Sequence, residues 1–237
     1  MCSIVLRIAA DGVLIGANRD EMLTRPWDPP GRYWPAMPGV VAGRDRLGGG
    51  TWLGINQSGL MAAVLNRRGT LGPETGKHSR GELPLLALRE AGLDAATAKI
   101  RALDAADYRG FNLILADGGG AVFLRGLETG APEAQSLPPG TWMITSGEAN
   151  DLASPRIARH LPKFAAAPAS AWAGLLADNT PPEESAINIP PRHGFGTVCS
   201  AIITLSRASP PRLLFAPGPP HSHAFRPVAL EENAPPE

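Results

Sequence analysis

Residues 1–21 read MCSIVLRIAADGVLIGANRDE, and one of the chain's two cysteines stands directly after the initiator methionine. Two apolar runs, Cys2–Ala9 and Val13–Ala17, flank the turn signal Ala10-Asp11-Gly12, which predicts an antiparallel hairpin. Both runs are nearly all apolar, so both faces of the hairpin are expected to be covered. The second run ends in Asn18-Arg19-Asp20-Glu21, and the hairpin returns that polar end to the side of Cys2.

Removal of Met1 would leave Cys2 with both a thiol and a free α-amine. An α-amine titrates near ~8, so a fraction is neutral at physiological pH. It can act as general base toward its own side-chain nucleophile. The thiolate is the reactive form, and a nearby cation favours it. Arg19 supplies such a cation, and Asp20 would hold the α-ammonium or orient Arg19. A cysteine near a terminus also serves as a small buried hydrophobe, and a polar tetrapeptide also serves as a solvated loop. Adjacent residues on an extended strand face opposite ways. Either a bulge re-aims Arg19 or Asp20, or only one of them reaches Cys2.

The chain has 237 residues, 43% hydrophobic, with formal net charge zero and pI about 7.0. That suits one globular domain, 1–237, with a Pro- and Glu-rich tail expected to be loose from about residue 228. Neutrality gives no support to a nucleic-acid partner. No apolar run reaches bilayer-spanning length, so no stable membrane insertion is expected. Arg7 interrupts the first apolar stretch and no basic segment precedes it, which argues against a signal peptide. Two cysteines make no disulfide framework, which points to a reducing, cytoplasmic setting.

Further hairpins are predicted around Gln57-Ser58-Gly59, joining Thr51–Asn56 to Leu60–Leu65, and around Asp117–Gly120, joining Phe111–Ala116 to Ala121–Arg125. Thr141–Thr145 reads as a strand, and Val198–Leu205 with Arg212–Ala216 as a closing pair. Ser79-Arg80-Gly81-Glu82 has the spacing of a capping box for a helix from about Arg80 to Ala91. Asp94 would cap a second helix to about Ala105, and Ser154–His160 and Ser170–Ala177 are further helices. Pro26–Pro38 reads as an aromatic loop. Gly48-Gly49-Gly50 reads as a plain turn, because it precedes a strand and lacks the Lys-Ser/Thr of a phosphate loop. Clustered hairpins alternating with helix pairs suggest two layers of sheet covered by helices.

Met1-Cys2 followed by Asn18-Arg19-Asp20-Glu21 resembles the NRDE family, whose eukaryotic members are the Transport and Golgi organization 2 proteins. Gly50-Thr51-Trp52-Leu53-Gly54, Gly59–Asn66, Ser79–Leu83 and Gly196-Thr197-Val198-Cys199-Ser200 carry the same resemblance, which runs to about Leu205. It implies an α+β fold, the four-layer αββα sandwich of N-terminal-nucleophile (Ntn) hydrolases. In the cysteine branch of that superfamily, which includes penicillin and bile-salt amidases, an Arg and an Asp surround the nucleophile and an Asn helps form the oxyanion hole. By that resemblance Cys2 is the nucleophile, Arg19 the thiolate-stabilising cation, Asp20 the partner of the α-amine and Asn66 the oxyanion donor. Asn18 and Glu21 would shape the hairpin end and hold Arg19.

The implied activity is cleavage of a small-molecule amide or thioester through an acyl-Cys2 intermediate, with no cofactor required. The link of eukaryotic relatives to haem trafficking and to lipid or acyl-CoA metabolism implies an alternative: a non-catalytic carrier of haem or an acyl lipid in the same cleft. Trp27, Trp34 and Trp52, with Tyr33, would line an apolar pocket, or equally serve as core and loop anchors. His78 and His193 are possible axial ligands for a haem. His221 and His223 read as an exposed loop, and Cys199 as a buried strand thiol. No residue pattern specifies an oligomeric state.

Overall fold

In the computed structural model, which describes residues 2–230, the N-terminal hairpin is β1 (Ser3–Ala9) and β2 (Gly12–Met22). Its register runs from Ala9↔Gly12 to Ser3↔Asn18. Gly12 has φ +146°, where a Cβ would run into the Leu205 carbonyl oxygen, so the turn requires glycine. β2 is longer than its apolar run: Asn18–Glu21 lie inside the strand, not in a turn at its end. They stay extended because β11 (Phe195–Leu205) pairs along their other edge, Glu21 facing Gly196 and Ser200 facing Asn18.

The first sheet has six antiparallel strands in the order β10-β1-β2-β11-β12-β13, with β10 Gly140–Ile144, β12 Arg212–Ala216 and β13 Arg226–Val228. The second has seven in sequential order: β3 (Trp27–Gly31), β4 (Val40–Asp45), β5 (Leu53–Asn56), β6 (Met61–Asn66), β7 (Phe111–Asp117), β8 (Gly120–Gly126) and β9 (Glu133–Leu137). Thus Pro26–Pro38 is not all loop. β3 falls within it because Trp27 and Asp28 pair with Asp45 and Arg44 at the sheet edge, where Pro29 and Pro30 are tolerated. Most of the expected tail, and Met1, lie outside the described residues.

The helices are α1 (Glu82–Ala87), α2 (Leu93–Arg101), α3 (Pro155–Ala166) and α4 (Trp172–Leu176). The Ser79–Glu82 capping box does not form: α1 starts after Gly81, and Ser79 Oγ accepts from Gly81 N at 3.3 Å. The reason lies in packing. Gly81 sits so close to Gly50 that a Cβ on Gly50 would meet Gly81 backbone, and Gly81 O accepts from Thr51 N at 2.8 Å. Asp94 lies in the first turn of α2 behind Gly92 and makes no cap. Ser154 does cap α3, accepting from Ile157 N at 3.5 Å.

Alternation along the strands divides the apolar residues among three cores. Ile4, Leu6, Ile15 and Ala17 meet Leu53, Ala63, Leu65 and Phe123 between the sheets. Ala62, Leu113 and Leu124 turn the other way, onto Leu83 and Ile100 of α1 and α2. Val5 and Ile202 pack beneath Phe164 of α3 and Trp172 of α4. Burial of such side chains, at roughly 1.5–3 kcal/mol each, contributes most to holding the sheets and helices together.

Candidate active site

Cys2 stands one step beyond the Ser3–Asn18 pair, which sets it across from Arg19. Its Sγ accepts a hydrogen bond from the Asp20 backbone N–H at 3.4 Å and lies 3.6 Å from the Asp20 carbonyl oxygen. The pleat then separates the two charged neighbours. Arg19 shares the inter-sheet face with Cys2, and both line one cleft with Trp52, Ile4, Leu65, Cys199 and Phe215. Asp20 turns its carboxylate to the opposite face, toward α3. Of the two alternatives left by their adjacency, side-chain contact with the cleft falls to Arg19, while Asp20 touches the sulfur through its backbone.

The Arg19 guanidinium is almost fully buried. Its Cζ lies 4.0 Å from the centre of the Trp52 ring, a cation–π contact. Nη2 lies 3.8 Å from Glu21 Oε2, so Glu21, two residues on and on the same face, does hold Arg19. Nη1 is buried with no hydrogen-bond partner among the described residues. Trp27 stands behind Trp52, edge to face with centroids 5.7 Å apart, and against Phe215 at 6.1 Å.

Three residues lie elsewhere than the sequence suggested. Asn18 faces α4, where Nδ2 donates to Leu176 O and Ile187 O, each at 2.9 Å, and Oδ1 accepts from Ser200 Oγ at 2.6 Å. It fixes the helix layer and does not hold Arg19. Asn66 ends β6 and does not line the cleft, although Ala63, Val64 and Leu65 just before it do. Trp34 packs against the core under α1 and α2, its indole donating to Gly49 O at 3.3 Å. The chain crosses to that face after β3. Of the histidines, His78 pairs with Glu82 at 3.1 Å, His193, His221 and His223 are exposed, and none lines the cleft.

On the helix face of β2, Thr197 Oγ1 donates to Asp20 Oδ1 at 2.6 Å, and Arg156 Nη1 lies 3.4 Å from Oδ2 and 3.1 Å from Ser3 Oγ. Thr197 reaches Asp20 because of a bulge on β11, not on β2. Thr197 pairs with Asp20 and Cys199 with Arg19, leaving Val198 as the extra residue. Thr197 and Cys199 therefore face opposite sides, although two apart. The segment Gly196–Ser200 was visible as a motif. Arg156 had no signal beyond its place in the expected helix Ser154–His160.

Electrostatics follow from burial. Burial and the Asp20 charge push the Cys2 thiol up, while Arg19 and the Asp20 backbone bond pull it down. Burial also raises the Asp20 carboxyl, opposed by Arg156 and Thr197. Burial and the neighbouring Arg109 lower Arg80 to about 10. Arg80 donates to the carbonyls of Thr70 and Gly110 at 2.7 and 3.1 Å. It staples the loop after β6 to the start of β7. Burial drives Cys199 far up, leaving an inert thiol.

The cleft is mostly apolar and narrow, leaving ≈ 20 Å³ for the centre of a water molecule, about one water's worth. Arg68 N donates to Ser146 O at 2.9 Å, and Asn112 Nδ2 to Thr145 O and Gly147 O at 3.0 and 2.8 Å. These bonds tie the two sheets together at the Cys2 end. The arrangement offers an acyl group a thiol, apolar walls and a buried guanidinium N–H, and an acyl chain would have to widen the cleft to lie along it.

A model of the family described as Transport and Golgi organisation 2 matches residues 1–213. The Transport and Golgi organization protein 2 homolog of Bos taurus is 32% identical over 143 residues, 56% of this chain and 50% of that protein. The chain thus matches about half the length of such curated relatives. Among solved structures, a variant of the conjugated bile acid hydrolase from Clostridium perfringens superposes with TM-score 0.60 at 10% identity, over 99% of this chain and 94% of that one. The Caenorhabditis elegans N-acylethanolamine-hydrolyzing acid amidase ortholog gives 0.58 at 13%, over 86% and 92%. At such identities the likeness is one of fold.

Proposed function

Because the chain belongs to the Transport and Golgi organisation 2 family, and its fold is that of Ntn-type acylases, we propose that it is an N-terminal cysteine hydrolase of small-molecule amides or thioesters. The observation that carries this is the Cys2 sulfur, held by the Asp20 N–H at 3.4 Å in an apolar cleft with a buried arginine. The reading takes the three cores as the seams of a four-layer αββα sandwich, with Cys2 between the two sheets.

In this reading Met1 is removed and the α-amine of Cys2 takes the thiol proton. Sγ then bonds to the acyl carbon, and Arg19 Nη1 donates to the oxygen as it gains charge. Collapse breaks the bond to the leaving amine or thiol, which departs with the transferred proton. Water, deprotonated by the same amine, cleaves the acyl-Cys2 thioester and frees the acid. Acyl transfer needs the Cys2 thiol reduced, which supports a reducing, cytoplasmic location.

A second reading, a non-catalytic carrier, is favoured only in its acyl form, by the apolar walls of the cleft. The space takes about one water, so either ligand would have to widen the cleft; a rigid haem macrocycle needs far more room than an acyl chain, and among the described residues the cleft offers its iron only the thiols of Cys2 and Cys199.

The test is intact-mass measurement of the purified chain with and without a panel of acyl amides and thioesters. The expected result is loss of Met1 and a transient acyl adduct mapping to Cys2. A Cys2→Ala variant that keeps full turnover on every active substrate would refute the mechanism.

A further inference from the structure

Asp20 presents to the α3 face a carboxylate with no solvent exposure. Among the described residues two donors from different elements close on it: Thr197 Oγ1 at 2.6 Å from β11, and Arg156 Nη1 at 3.4 Å from α3. The same Nη1 donates to Ser3 Oγ at 3.1 Å. One guanidinium therefore spans the residue after Cys2 in the chain and the residue whose backbone N–H holds the Cys2 sulfur. Local helix preference does not explain this arginine. It is the second residue of α3, after Pro155, where a cation opposes the helix dipole by roughly 0.3–1 kcal/mol. It is also buried there, as arginine seldom is unless paired.

We propose that Arg156 is a positioning residue of the nucleophile: by clasping Ser3 and the Asp20 carboxylate together it fixes the Asp20 N–H on the Cys2 sulfur and offsets the negative charge beside it. The proposal deepens the reading of Cys2 as nucleophile and rests on it. Arg156 acts from the far face of the sheet and does not line the cleft. Its influence passes through Asp20. A carboxylate deprived of this cation would oppose the thiolate more strongly, and an unclasped strand end would loosen the N–H···S bond.

The experiment is the pH dependence of Cys2 alkylation by iodoacetamide on the full chain, with the labelled peptide mapped. Arg156→Gln is expected to move the profile up by about one pH unit, a roughly tenfold slower reaction at pH 7. Arg156→Lys restores most of the rate, because it keeps the charge. In an Asp20→Asn background Arg156→Gln adds nothing further, because the route through the carboxylate is gone. Ser3→Ala, which cuts one arm of the clasp without uncovering a charge, slows labelling about threefold and serves if Arg156→Gln does not fold. An unchanged profile in folded Arg156→Gln or Ser3→Ala, no recovery with lysine, or additive effects with Asp20→Asn would overturn the proposal. Alkylation needs no turnover, so failure of the catalytic reading shows separately, as turnover indifferent to Cys2→Ala while the alkylation profile still shifts.

Discussion

Replacing His160 by glutamine is expected to remove about 2 kcal/mol of the protein's sensitivity to acid between pH 7.5 and 5. His160 is a fully buried residue of α3, the helix that carries Arg156. Its Nε2 lies 2.8 Å from Ser185 O, and a carbonyl only accepts, so Nε2 carries the hydrogen. Nδ1 is then a lone pair, with no hydrogen-bond partner among the described residues and Asp178 Oδ2 4.0 Å away. Burial lowers the imidazole from 6.5 to about 4; the Ser185 carbonyl and Asp178 oppose this, and Lys163 and Arg159 add to it. The folded value lies below the unfolded one, so the unfolded chain binds more protons between those two values. Stability from this group is complete above pH 6.5 and is lost as pH falls toward 4. Integrating from pH 7.5 to 5 gives about 2 kcal/mol. Urea unfolding of the wild type and His160→Gln at both pH values isolates the histidine, because the carboxylates titrate in both proteins. Equal pH dependence in the two would refute the reasoning.

Asn18→Ala strands the Leu176 and Ile187 carbonyls and leaves the Ser200 hydroxyl only the Ala17 carbonyl, at a cost of about 2–4 kcal/mol, read as a lower urea midpoint at unchanged slope. Gly43→Ala puts a Cβ into the Trp52 ring, so the indole must leave the Arg19 guanidinium; a changed rate of Cys2 alkylation in folded protein is the expected sign, and an unchanged rate counts against the stack. Native protein should take iodoacetamide at Cys2 and not at Cys199, with both labelled in urea; comparable labelling of Cys199 in the folded state would contradict its burial.

Much of the fold was legible because it is written in local chemistry. Apolar runs bounded by turn signals marked β1, β5 to β8, β10 and β12, and the Ala10-Asp11-Gly12 turn fixed the hairpin that faces Cys2 toward Arg19. Strands whose residues carry no such pattern were not visible. β3 is Trp-Asp-Pro-Pro-Gly and β9 is Glu-Ala-Gln-Ser-Leu, and both are edge strands that exist only because a neighbour supplies the ladder. The Ser79–Glu82 spacing failed for a related reason: the close approach of Gly50 to Gly81 fixes the backbone before a cap can form.

By itself the sequence determined that a thiol at position 2 would meet the Asn18–Glu21 segment, since a two-stranded hairpin leaves its ends no other place to go. It could not determine which side of the sheet each member of that segment would serve. That depended on a second strand edge, β11, whose one-residue bulge at Val198 turns Thr197 onto Asp20 while Cys199 faces Arg19. It depended also on α3, which delivers Arg156 to the same carboxylate across 136 residues of chain. Side-chain direction on a strand has a period of two, so a single inserted residue on a neighbour redirects every contact beyond it. Such an insertion leaves no mark in the strand that carries the site, and only the assembled sheet reveals it.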